Sequence, residues 1–92
     1  MDEPSVLSQL LEFPCDYQFK AFGPGDEDDG FAIAVREAVS SVVPVSGDAL
    51  RTRSSSRGAY LCVTVVLRLY NVNQINAIYA ALRRIEGLKY LL

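Results

Sequence analysis

Two thiols, Cys15 and Cys62, a carboxylate run at Asp26, Glu27, Asp28 and Asp29, and the arginines Arg51, Arg53, Arg57 and Arg68 are the side chains of this sequence best suited to chemistry. A nucleophilic thiol needs a base to take its proton, and the 92 residues include no histidine. Ser-His-Asp and Cys-His catalysis and histidine-bearing zinc sites are therefore excluded. Two cysteines without C-x-x-C spacing argue against zinc binding or thioredoxin-type redox work and are too few for a disulfide framework, so two ordinary half-buried thiols are expected. The carboxylate run could hold a hard cation, yet it lacks the D-x-[DN]-x-[DN]-G spacing and closing glutamate of a calcium loop. It stands immediately before a helical pattern, and helix initiation accounts for it. The expectation is a protein that is not an enzyme, with no catalytic residue, no metal and no cofactor.

The arginines form a local basic patch within an acidic chain. Nine basic and eleven acidic side chains give a formal charge of -2 and a pI near 4.9, which disfavours general binding to nucleic acid or anionic membrane. Arg57-Gly58-Ala59-Tyr60-Leu61-Cys62-Val63 faintly echoes the RNP1 pattern of RNA-binding sheets. That pattern needs stacking aromatics at its third and fifth positions, where this chain has Ala59 and Leu61, with Tyr60 one register off. Nucleic acid is disfavoured as a partner, and solvated edge charges are the simpler account of the arginines.

These side chains must be positioned by a small fold. A chain of 92 residues makes one domain with one two-layer core and little room for a deep cleft. Half of it is hydrophobic and 22% charged, the profile of a folded domain. Its apolar runs are far shorter than a membrane span and its acidic start is unlike a secretory signal, so a soluble, reducing, cytoplasmic setting is expected.

Residues 1–16 read as a lead-in arm whose Leu10, Leu11 and Phe13 pack on the body. Residues 17–22 alternate as a first strand, with Tyr17, Phe19 and Ala21 on one face. Gly23-Pro24-Gly25 breaks it. From Gly30 to about Val43, Phe31, Val35, Ala38, Val39 and Val42 recur at helical spacing, and Pro44 ends the helix. A second strand spans about 49–55, with Arg51 and Arg53 on one face as at a sheet edge. A polar hairpin with Gly58 at a positive-φ position follows. Residues 60–69 are the clearest element: Leu61, Val63, Val65, Leu67 and Leu69 form one apolar face. Asn71 and Gln74 nearly make a capping box ahead of a second helix carrying Ile75, Ile78, Tyr79 and Leu82 to about Arg84. Gly87 stops it, and residues 88–92 make a last strand.

The order β-α-β-β-α-β predicts a ferredoxin-like α+β fold, a four-stranded antiparallel-type sheet with both helices on one face and strands one and three adjacent in the middle. Tyr17, Phe19 and the apolar face of strand three should meet Phe31, Val35, Val42, Ile75, Ile78 and Leu82. The open face should carry Gln18, Lys20, Arg51, Arg53, Tyr60, Cys62, Thr64, Val66, Arg68, Lys89 and Leu91. Strands one and three are neighbours, so Cys15, just ahead of strand one, and Cys62 on strand three could lie near the same end of the sheet and form a regulatory disulfide.

Leu11-Glu12-Phe13-Pro14-Cys15-Asp16-Tyr17-Gln18-Phe19-Lys20-Ala21-Phe22-Gly23 resembles the L-E-F-P…F-x-K-x-x-G opening of the YbeD-like family of small bacterial proteins of unknown function, with Lys20 and Gly23 at its K-x-x-G. Ser55-Ser56-Arg57-Gly58-Ala59-Tyr60 is similar to that family's S-S-[KR]-G-x-Y hairpin, and Tyr79 and Leu82 match its Tyr-x-x-Leu late in the second helix. The acidic run 26–29 and Ser54, where the family suggests proline, depart from it. The resemblance implies a single domain over 1–92 similar to the ACT regulatory domains, which bind small effectors near the turn after strand one and at interfaces between paired sheets. Gly23 and Gly25 match that turn.

The expected role is a non-catalytic regulatory or protein-interaction module working through the open sheet face, an edge strand or a homodimer. A small-effector sensor is the alternative. The candidate ligand or partner surface is Gly23, Gly25, Arg51, Arg53, Ser55, Ser56, Arg57, Tyr60, Cys62, Val66 and Arg68. Acid gathers at the first helix start and base along strands two and three, so a partner is expected on the basic sheet face.

Overall fold

The structure, a computed structural model, describes residues 11–25, 29–55 and 57–92. β1 (Cys15–Pro24), α1 (Gly30–Ser40), β2 (Leu50–Ser54), β3 (Tyr60–Leu69), α2 (Val72–Arg83) and β4 (Tyr90–Leu91) follow in that order, with a short 3-10 turn at Gly47–Ala49 before β2. The sheet order β2-β3-β1-β4 is antiparallel throughout and places β1 and β3 at the centre. This is the ferredoxin-like arrangement. β1 and β3 pair along their whole length, from Cys15 opposite Leu69 to Pro24 opposite Tyr60.

The alternation of β3 sends its five odd-numbered aliphatic residues under the helices, where they meet Phe19, Ala21, Phe31, Val35, Val39, Val43, Ile75, Ile78 and Leu82 in one buried cluster. Leu11 and Phe13 pack against its edge. Residues 1–10, including Leu10 of the expected arm, lie outside the described residues.

Four expectations shift. The first strand extends two residues further at each end than 17–22, because β3 offers a partner for every one of them. α1 stops at Ser40 instead of Val43, with the Ser41 hydroxyl donating to the Ala38 carbonyl at 2.6 Å. Val42 and Val43 both donate backbone N–H bonds to the Val39 carbonyl, and this tightening buries Val43 in place of Val42, which is half-buried. At the other end of α1, Asp29 sits at the N-cap with φ 59° and ψ 20° and its side chain makes no cap bond. Asp26, Glu27 and Asp28 lie outside the described residues. Finally, β4 pairs Leu91 with Ala21 and Tyr90 with Phe22. Leu91 therefore faces the helices, and Tyr90 and Leu92 take the places on the open face that Lys89 and Leu91 were expected to hold.

α2 begins as its sequence suggests. The Asn71 side chain accepts from the Gln74 N–H at 2.9 Å, while the Gln74 side chain accepts from the Tyr70 N–H at 2.8 Å, one residue earlier than a capping box has it. Gly58 and Gly87 both take positive φ, 72° and 92°.

Candidate functional site: the open sheet face

The uncovered side of the sheet gathers the even-numbered residues of β1 and β3. Gln18 lies opposite Val66, Lys20 opposite Thr64 and Phe22 opposite Cys62. Arg51 and Arg53 extend the same face from β2, opposite Thr64 and Cys62, and Tyr90 extends it from β4, opposite Phe22. The helices cannot reach this side, so four large apolar side chains stay in contact with water: Tyr60 is 52% exposed, Val66 45%, Tyr90 60% and Leu92 51%.

The face divides into two halves. Towards β2, a shallow depression of about 640 Å³ is bordered by Lys20, Arg51, Arg53, Gln18, Thr64 and Val66, with Asp48 at its margin. Beside the β2–β3 hairpin, a smaller notch of about 200 Å³ is formed by Phe22, Arg53, Ser54, Ser55, Tyr60 and Cys62. Phe22 leans on Tyr90 with ring centroids 6.0 Å apart. Arg68 reaches Asp16 at 3.4 Å, the one ion pair among the described residues, and both side chains are more than half exposed. Such a pair contributes little to stability. Lys20, Arg51 and Arg53 have no ion-pair partner among the described residues, so this half of the face is cationic.

Of the candidate surface residues, Arg51, Arg53, Tyr60, Cys62, Val66 and Arg68 thus share one face. Arg57 is exposed on the hairpin, and Ser56 lies outside the described residues. Ser55 closes the hairpin instead: its hydroxyl accepts from the Tyr60 N–H at 3.1 Å and its N–H donates to the Tyr60 carbonyl at 2.9 Å. Gly23 is buried within β1, where a side chain would run into the ring of Phe31. At Gly25 a side chain would run into the Gly58 carbonyl, and the Gly25 N–H donates to the Ala59 carbonyl at 3.2 Å. Close packing of strand, helix and hairpin thus accounts for both glycines. Tyr90 and Leu92 were missed as surface residues because 88–92 has no clean alternation from which to read a register.

The thiols do not meet. Cys15 pairs with Leu69 and Cys62 with Phe22, seven residues along the ladder, or about 23 Å at ~3.3 Å per residue. They also point to opposite faces of the sheet, whereas a disulfide needs Cα atoms within about 7 Å. Register excludes a regulatory disulfide between them, and both are free, half-buried thiols as expected. Among the described residues no three of Cys, Asp and Glu come together as a metal site.

Among the described residues one titrating group is displaced, on the helix side. Tyr79 lies edge-on to Phe19 at 4.9 Å, its hydroxyl is 3.2 Å from that of Tyr17, and the Arg83 guanidinium lies 5.6 Å from its ring. Burial, with the Tyr17 hydrogen bond second, pushes its pKa from 10.0 up to about 12, against a smaller lowering by Arg83. The folded state thus holds this proton more tightly than the unfolded chain. The stabilisation is complete below pH 10 and is lost as pH rises from about 10 through 12. Denaturant midpoints taken at pH 9 and 11.5 should fall further for the wild type than for Tyr79→Phe; equal falls would show that Tyr79 titrates normally.

Comparison with known proteins places this geometry among relatives. A family profile described as "Protein of unknown function (DUF493)" matches residues 8–92. A UPF0250 protein of Shewanella amazonensis is 33% identical over 91 residues, 96% of this chain and 97% of that one. A UPF0250 protein of Pseudomonas paraeruginosa is 36% identical over 84 residues, 89% and 88% of the two chains. The solution structure of protein HP0495 from H. pylori superposes with a TM-score of 0.69 over 98% of this chain and 88% of that one. At 14% identity that likeness speaks for the fold alone. No helix among the described residues is long and apolar enough to cross a membrane.

Proposed function

Because the chain belongs to the DUF493 family of proteins of unknown function, the YbeD-like group its motifs resemble, its role has to be argued from its surfaces, and we propose a non-catalytic, cytoplasmic regulatory or adaptor module that binds another protein through the open sheet face. What supports the reading is one observation: Tyr60, Val66, Tyr90 and Leu92 stay exposed on the same face as Lys20, Arg51, Arg53 and Arg68. Apolar side chains beside a cationic patch suit a protein interface, with the apolar part supplying affinity and the charges supplying orientation. A small anionic effector, the second reading, is favoured by the depression that Lys20, Arg51 and Arg53 border.

Affinity capture from the native cell with wild type, Val66→Glu and Arg84→Glu tests the first reading, since the exposed Arg84 lies at the end of α2, on the helix layer away from the open face. A partner retained by wild type and Arg84→Glu but lost with Val66→Glu is the expected result. Capture indifferent to Val66→Glu overturns it.

A further inference from the structure

Among the described residues β2 is the terminal strand of the sheet, with β3 its one neighbour. All five of its residues are exposed or half-buried. The Ser55 N–H bond to the Tyr60 carbonyl sets the phase of the β2–β3 ladder. By the strict alternation of antiparallel pairs, the backbone groups of Arg51 and Arg53 then turn inward to β3, and those of Leu50, Thr52 and Ser54 turn outward. Among the described residues nothing covers that outer row.

The two flanks of this edge differ in chemistry. On the open face stand Arg51 and Arg53, two residues apart and so about 7 Å from each other. On the helix side a shallow groove between β2 and α1 is bordered by Leu50, Thr52, Ala32 and Ile33 together with the charged Asp29 and Arg36, and Ile33 is 53% exposed. We infer that the free edge of β2 accepts an extended acidic segment of a partner protein as a fifth strand, with carboxylates on Arg51 and Arg53 and the alternating apolar side chains over Ile33. The inference rests on the interaction reading above and specifies the chemistry of the partner and its mode of docking.

An extended segment with acids at alternate positions repeats at the same spacing as the two arginines. Its main chain would hydrogen-bond to the outward groups of Leu50, Thr52 and Ser54, the usual source of affinity in strand addition. A second copy of this chain fits poorly, because antiparallel pairing of β2 with itself about Thr52 sets arginine opposite arginine on one face.

The test uses the full chain, isotope-labelled for NMR, and a capped peptide of about six residues alternating glutamate with valine, the length of an ordinary strand. Its controls are the same peptide N-methylated along one edge and a version with lysine for glutamate. The expected result is shifted, exchange-protected amides at Leu50, Thr52 and Ser54 with the first peptide alone. Arg51→Glu/Arg53→Glu should weaken binding about tenfold or more, which is about 1.4 kcal/mol. Thr52→Pro should do the same while leaving both arginines in place. Proline there removes an outward N–H and spares the ladder to β3, so unchanged amide shifts in β1 and β3 confirm its fold.

Equal binding of the N-methylated peptide, or by Thr52→Pro, overturns strand addition. So do silence at up to millimolar peptide and self-association of the protein through β2. Shifts confined to Phe22, Val66 and Tyr90 overturn the edge inference but leave the sheet-face reading standing, and only capture indifferent to Val66→Glu removes that reading.

Discussion

Replacing Phe19 by alanine is expected to cost about 3–5 kcal/mol, the usual range for deleting a fully enclosed phenylalanine. The ring is 0% exposed, sits 4.9 Å from both Tyr17 and Tyr79, and lies on the strand opposite Val65. Tyr17 and Tyr79 are tied to each other through their hydroxyls at 3.2 Å, so they cannot collapse freely into the space left behind. A domain of this size holds only about 5–15 kcal/mol in total, and each kcal/mol moves its Tm by about 4–8 °C. The variant should therefore melt at least about 12 °C lower, with a matching drop in the denaturant midpoint. A loss below about 1 kcal/mol would mean that the ring is not enclosed as described.

The second large effect comes from adding a single methyl group. Gly25→Ala places a Cβ against the Gly58 carbonyl oxygen and 3.2 Å from the Tyr60 nitrogen. Both are backbone atoms of the hairpin, so no rotamer change relieves the contact. The hairpin must move away from the end of β1, weakening the Gly25 N–H bond to the Ala59 carbonyl. Overpacking costs typically about 1–3 kcal/mol and a lost hydrogen bond about 1 kcal/mol, so a destabilisation of about 2–4 kcal/mol is expected in equilibrium unfolding. Gly47→Ala is the matched control: nothing lies within 4 Å of a Cβ there, and the change should stay within about 0.5 kcal/mol. Similar stabilities for the two variants would refute the close approach at Gly25.

These two sites also show where reading the sequence succeeds and where it stops. Phe19 belongs to the core by alternation alone, since a period of two assigns every other residue of a strand to one face once its neighbours are apolar. The same rule placed all five odd-numbered aliphatics of β3, and with two helical stripes it yielded the βαββαβ order and the ferredoxin-like sheet. Gly25 reads as a turn residue from its type, and Gly23 with it. Their actual neighbours, Gly58 and Phe31, arrive from 33 and 8 residues further along the chain, and no local pattern records such meetings.

Register behaves in the same way. Neighbouring strands carry or adjoin Cys15 and Cys62 in either reading, but a disulfide depends on which rung each occupies, and pairing from Cys15–Leu69 to Pro24–Tyr60 puts them at opposite ends. In β4 a displacement of one residue exchanged Leu91 for Tyr90 and Leu92 on the open face. The sequence by itself determined which residues prefer the inside, in what order the elements occur, and that no histidine-based chemistry is available. Periodicity and composition are local quantities, and a chain carries them before it folds. Only the tertiary structure decided which rungs face one another, which glycines are pressed against other backbone, and that an aromatic and cationic face lies beside a free strand edge, because those facts depend on long-range contacts that exist only once the chain has closed on itself.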